Sequence, residues 1–242
     1  MMTEAIKYVP NIMKEKRKMR TRFLSLAVIF AVFALAFVGF DTSGEGLREK
    51  EFAARFTDTK LTAQESTGSY SIDPNHSYIG FRVMHMGLAE VPGRFKDFSG
   101  AVNYDGADVS KSSVNFTAKV TSVDTGVERR DNHLRNKDFF EVETYPDMSF
   151  KSTKVEKKGK NLLVTGDFTL KGVTKQVTIP FTINGMNKDD KGGVKMGVSA
   201  ATTINRQDYG VKWGNKLPDG TLALSDTVKI DLQLEAGMKK SK

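Results

Sequence analysis

The 242-residue chain contains no cysteine. That excludes disulfides, thiolate metal sites, a cysteine nucleophile and an anchor through a lipid-modified cysteine. An oxidising compartment stays open, because a domain of ~170 residues buries roughly 70% of its unfolded-chain surface and needs no staple. Also missing are the Gly-x-Ser-x-Gly elbow of a serine hydrolase and any phosphate-binding loop; Gly192-Gly193 reads as a hairpin turn. There is no internal repeat and no low-complexity tract. Histidines number three, His76, His85 and His133. They form no i, i+4 pair and no alternate-residue pair, so their spacing builds no metal site. The net positive surplus is small outside the front. Of the net +8, residues 1–22 supply +5 through seven Lys/Arg against two Glu, which leaves +3 for the other 220 residues. No nucleic-acid partner is expected from so thin a surplus.

What is present begins with an uncharged run, Phe23 to Phe40, 18 residues long, preceded by the basic cluster and followed by Asp41 and Glu45. The positive-inside rule puts the N-terminus in the cytoplasm and everything after residue 40 outside it. Residues 1–40 are therefore a signal peptide cut after a site such as Ala34-Leu35-Ala36, or a retained anchor that contacts the membrane through residues 23–40. The expected location is periplasmic or extracytoplasmic, soluble or tethered to the inner membrane. Residues 41–68 are polar, mixed in charge and without sustained periodicity, and read as a linker.

Residues 69–242 read as one all-β domain. From Ser77 to His85, Ile79, Phe81, Val83 and His85 share one parity against Tyr78, Gly80, Arg82 and Met84. Period two means a strand, here with an apolar face that ends in a histidine. Further alternating runs cover Ala101–Tyr104, Ser113–Val123, Met148–Val155, Leu162–Leu170, Val173–Asn187, Val194–Ile204 and Ser225–Glu235, with turn signals between them. Pro180 inside the run Val173–Asn187 marks an edge position or a bulge. About eight strands is the number at which a closed barrel holds one small ligand. Thr125 to Asp138 breaks the alternation and suits a short helix at a barrel mouth. Its Asp131, His133 and Arg135 read either as a solvated face or as a polar collar, with Arg129 and Arg130 placed to hold Asp131 ionised. Phenylalanine and methionine are plentiful for one β domain, and methionine suits an adaptable, chain-shaped cavity.

HSYIGFRVMHMGLAEVPGRFKDFSG, SSVNFTAKVTSVDTGVERRDNHLRNKDFFEVETYPDMSFKST, VTGDFTLKGVTKQVTIPF and the NRQDYGV element, in that order, closely resemble the YceI-like family. The resemblance implies an eight-stranded antiparallel lipocalin-like barrel with a short helix at one end and an elongated apolar tunnel. It also implies a bound polyisoprenoid or isoprenoid-quinone-like chain, pairing as a homodimer and a periplasmic setting. His76, Asp131 and Tyr145 sit at matching positions, as do Phe81, His85, Phe95, His133, Leu134, Phe139, Phe140, Phe150, Arg206 and Tyr209. The last ten, with Val83 and Phe116 from the strand pattern, are the expected ligand contacts. His85, His133 and Arg206 are the expected head-group partners. No cofactor and no catalytic residue is expected. The alternatives are an enzyme that uses the histidines on an isoprenoid lipid, and a solidly packed interaction module.

Overall fold

The structure, a computed structural model, describes residues 61–188 and 192–238. Among these, eleven strands build a closed barrel of eight antiparallel staves. Three staves are bent and count twice. They are β1 (Gly68–Ile72) with β2 (Tyr78–His85), β3 (Ala89–Phe95) with β4 (Phe98–Tyr104), and β5 (Ser113–Lys119) with β6 (Val123–Asp124). The straight staves are β7 (Asp147–Lys158), β8 (Asn161–Leu170), β9 (Val173–Lys188), β10 (Val194–Asn205) and β11 (Leu224–Met238). β11 closes the ring, pairing with β1 at Ser71↔Gly237 and with β2 from Gln233↔Tyr78 to Val228↔Val83.

The staves follow from the alternation. In β9, Val177, Ile179, Phe181 and Ile183 are half-buried while Gln176, Thr178, Pro180 and Thr182 are exposed, as a sheet with one wet face requires. A 16-residue strand runs on the order of 50 Å at ~3.3 Å per residue, so the barrel is elongated.

The connections divide between two ends. One end carries α1 (Ala63–Ser66) and the β4–β5, β7–β8 and β9–β10 turns. The other, the helix end, carries the turns β2–β3 and β8–β9, the long β6–β7 connection with α2 (Glu128–Arg135), and the β10–β11 connection. α1 already belongs to the barrel, because the buried Tyr70 hydroxyl donates to the Ser66 carbonyl at 2.6 Å. Residues 63–68 of the expected linker thus supply this helix and the first residue of β1.

α2 lacks a side-chain N-cap, and its own side chains tie it down instead. Arg135 donates to the carbonyls of Thr121 (2.8 Å) and Val123 (2.9 Å), and Arg130 donates to Thr125 Oγ1 (2.7 Å) and Thr125 O (2.9 Å). Asp131 is buried. Contrary to expectation it pairs with neither Arg129 nor Arg130, and accepts from the Thr125 amide (2.9 Å) and hydroxyl (2.5 Å). Thr125 links the two, donating its N–H and O–H to the Asp131 carboxylate while its Oγ1 and carbonyl accept from Arg130.

The wall is not paired along its whole height. The β9–β10 ladder runs from Lys188↔Val194 to Phe181↔Ala200 and stops there. The next residue of β9 is Pro180, which has no N–H to offer a ladder. Toward the helix end, Val173–Pro180 pairs only with β8, and the rest of β10, Ala201 to Asn205, pairs only with β11. The proline expected at an edge or bulge thus marks where a seam opens.

Candidate ligand-binding cavity

The inward residues do not meet at the barrel axis. They enclose a cavity of about 240 Å3, far more than a single water needs. Its lining follows β11 from Leu224 to Ala236, on the order of 40 Å along the strand and ~30 Å along the axis of a barrel whose strands tilt by ~40°. It is a tube, not a pit. Every second residue contributes, as in Val198, Ala200, Thr202 and Ile204 of β10 or Val228, Ile230, Leu232 and Leu234 of β11.

Close backbone approaches shape the bore. A Cβ on Gly93 would stand 2.3 Å from the Phe81 ring, and one on Gly166 would stand 2.6 Å from the Phe150 ring. Each glycine lies directly across the ladder from a ring or beside one, and the missing side chain is the space the ring occupies. Phe116, Phe150 and Phe168 are cross-strand neighbours on β5, β7 and β8. Phe116 and Phe168 touch both the main core around Tyr70 and Phe98 and the smaller cluster of Phe150, Val155 and Val164, so they mark a waist between the two halves of the tube.

Nine of the twelve expected contact residues line the cavity: Phe81, Val83, Phe95, Phe116, Leu134, Phe139, Phe140, Phe150 and Arg206. His85, His133 and Tyr209 do not. His85 is exposed at the end of β2. Opposite it, β11 advances four residues, Val228 to Leu224, while β2 advances two, and this bulge ends the regular wall just where the histidine sits. His133 lies on α2. Its Nε2 is 3.0 Å from Asp138 Oδ2, and its ring stands edge-on to Phe139 (5.0 Å) and Trp213 (5.3 Å). Tyr209 is buried edge-on against Phe168 at 5.3 Å, and burial pushes its phenol pKa up.

Arg206 lines the helix end of the tube yet has no N–H left for a head group. Its Nε donates to Ser225 O (2.9 Å) and its Nη1 to Val211 O (2.8 Å) and Trp213 O (2.6 Å). Its Nη2 donates to Leu224 O (3.2 Å) and Asp226 Oδ1 (3.1 Å). These are all five donors of a guanidinium. Burial lowers its pKa and the Asp226 carboxylate raises it; the group remains a cation. Its role is to fold the β10–β11 connection over the barrel end.

The remaining polar lining groups are Tyr104, Ser112 and Thr202. Burial raises the Tyr104 phenol, with Asp105 adding to it, and Ser112 Oγ accepts from the Asp105 amide at 3.0 Å. No histidine, lysine or carboxylate lines the tube among the described residues. Asp73, His76 and Glu235 have metal-ligand spacing on the outside of the barrel. There Glu235 already faces Lys195 Nζ at 2.7 Å, and Asp73 faces His76 Nδ1 at 2.8 Å. The inward positions of β9, β10 and β11 were absent from the expected contacts, although their period-two pattern carried the signal.

The model of the YceI-like domain matches residues 70–236. A UPF0312 protein of Photorhabdus laumondii subsp. laumondii is 41% identical over 161 residues, covering 65% of this chain and 84% of its own. A UPF0312 protein of Pseudomonas putida is 36% identical over 197 residues, covering 79% and 99%. Among solved structures, BcnA of Burkholderia cenocepacia has a TM-score of 0.58 at 27% identity, covering 68% of this chain and 98% of its own. A YCEI protein of Campylobacter jejuni has 0.55 at 32%, covering 65% and 90%. A polyisoprenoid binding domain from Saccharophagus degradans shares the fold, with a TM-score of 0.55 at 19% identity, covering 70% and 98%. The chain belongs to the YceI-like domain family.

Proposed function

We propose that this protein holds one long-chain isoprenoid lipid, a polyisoprenoid or a quinone-like amphiphile, inside the barrel, for storage or transport outside the cytoplasm. The observation that carries this reading is a ~30 Å tube lined almost wholly by hydrocarbon and aromatic rings. Such a bore fits a flexible apolar chain. At ~25 cal/mol per Å2, several hundred Å2 of buried chain gains on the order of 10 kcal/mol before entropy costs. The shared fold of a polyisoprenoid binding domain supports the same ligand class. Acid–base work on the ligand lacks its usual instruments, since the titratable lining groups are a phenol pushed up by burial and a fully bonded guanidinium. Export rests on the sequence of residues 1–40, which lies outside the described residues.

The test is to purify the full chain from cells in which it is expressed with its own N-terminus, extract it with organic solvent, and identify the extract by mass spectrometry. An isoprenoid near one per chain is expected. A protein that comes out folded and empty of lipid contradicts the reading.

A further inference from the structure

Six large hydrophobic side chains are exposed among the described residues, and five of them crowd one end of the barrel. Met86 and Leu88 lie in the β2–β3 turn, Val127 precedes α2, and Trp213 and Leu222 lie in the β10–β11 connection. Leu88 is 83% exposed, which a soluble turn has no reason to specify. These connections touch one another. The Met86 amide donates to Ala223 O at 3.0 Å, next to Leu222. Trp213, 41% exposed, packs tilted against Phe139 at 5.0 Å and edge-on to His133 at 5.3 Å.

Phe139 also lines the cavity, so one ring separates the outer apolar rim from the tube. Lys212 and Lys216 flank Trp213 and Leu222 and have no carboxylate partner among the described residues. The nearby Asp219 carboxylate turns instead to the Thr221 amide at 2.9 Å. Exposed Leu, Met and Trp beside unpaired lysines match the boundary layer of a bilayer, where rings and apolar side chains sink and ammonium groups meet phosphates.

We propose that the helix end of the barrel docks on the surface of a lipid bilayer, with Met86, Leu88, Trp213 and Leu222 inserted and Lys212 and Lys216 at the phosphates. The rim then joins the tube to the membrane, and the ligand crosses beneath Trp213 without meeting water. This rests on the carrier reading for its purpose but not for its test.

Trp213 is the single tryptophan of the chain, so its fluorescence reports on this rim alone. The full chain is reconstituted in vesicles of phosphatidylcholine and phosphatidylglycerol whose acyl chains carry bromine, a quencher of tryptophan. Docking predicts a blue-shifted emission and strong quenching relative to unbrominated vesicles. A Leu88→Asp/Leu222→Asp double variant keeps residues 23–40 and the barrel, verified by its circular dichroism melt. It should weaken docking by at least about tenfold, because each buried leucine contributes ~1.5–3 kcal/mol and 1.4 kcal/mol is a factor of ten. Equal quenching in both proteins, or none in the wild type, overturns the proposal. So does a blue shift that depends on protein concentration without vesicles, which identifies a second copy as the occupant. Lipid analysis of the same preparation separates the two readings. Quenching of a lipid-free barrel keeps docking and removes the carrier; a loaded barrel without quenching does the reverse.

Discussion

A single guanidinium shows how little of a cavity residue's role its location reveals. Arg206 is 4% exposed, and it gathers four carbonyls and one carboxylate from the stretch 211–226. Arg206→Ala strands those acceptors without water, and a loss of about 3–5 kcal/mol in denaturant unfolding is expected, the scale for breaking a buried charged network. Arg206→Lys should recover little, since an ammonium has three donors and no planar fork. Were Arg206 a head-group ligand instead, Ala would lower lipid content with the midpoint unchanged. Glu65 is the opposite kind of residue, exposed and legible by titration. The Lys188 ammonium, 2.5 Å away, and then the Thr62 amide and hydroxyl hold its carboxyl down at about 2, from an ordinary value of 4.5. A depressed carboxylate contributes stability that is present above its unfolded pKa and is lost as pH falls through the folded one. The α1 contact with β9 should therefore hold to below pH 4.5 and weaken toward pH 2. A carboxyl NMR titration should place the Glu65 midpoint near 2, and Lys188→Ala should move it up toward 4.5.

At the level of strands, the parting of β9 from β10 makes a prediction of its own. Between Val194 and Ala200, β10 has a ladder on both sides, whereas from Ala201 to Asn205 it has one, because Val173 to Pro180 of β9 pairs only with β8. In hydrogen exchange followed by mass spectrometry, alternate amides of 201–205 should exchange well ahead of those in 195–200. Uniform protection along β10 would mean the seam is shut in solution. The neighbouring strand β9 shows what a sequence can carry. Val177, Ile179, Phe181 and Ile183 announce the inward face, and Pro180 announces the edge, in the order of residues alone. The eight staves and the helix between Thr125 and Asp138 are legible in that way. His85 is not, because parity tells a side chain which face it shares but not where along the axis the wall stops. Arg206 is not, because its partners are mostly backbone carbonyls, which every residue type supplies equally. The apolar rim escapes too, since the exposure of Leu88 and Trp213 depends on how three separate connections meet.

For the molecule as a whole, the question is whether the bore contributes to stability only when filled. An empty tube leaves its lining without contact partners, and a bound chain restores them, so ligand and fold are linked. At a free ligand concentration of 100 times the dissociation constant that linkage is worth ~2.7 kcal/mol. For a domain of this size it corresponds to roughly 5–10 °C in melting temperature. Delipidated protein should melt lower by that much and recover when the extracted lipid is returned. Ala200 lines the tube at the last paired step of the β9–β10 ladder, opposite Phe181. In a packed core Ala→Phe overpacks and destabilises by ~1–3 kcal/mol. Here the new ring has the cavity to enter, so Ala200→Phe should melt within a few degrees of the delipidated wild type or above it. Having taken the ligand's place, it should carry no lipid, and extraction should leave its melting temperature unchanged. If Ala200→Phe instead loses several kcal/mol and the wild type melts alike with and without extraction, the interior is already full of its own side chains. The barrel would then be a packed core with no room for a passenger.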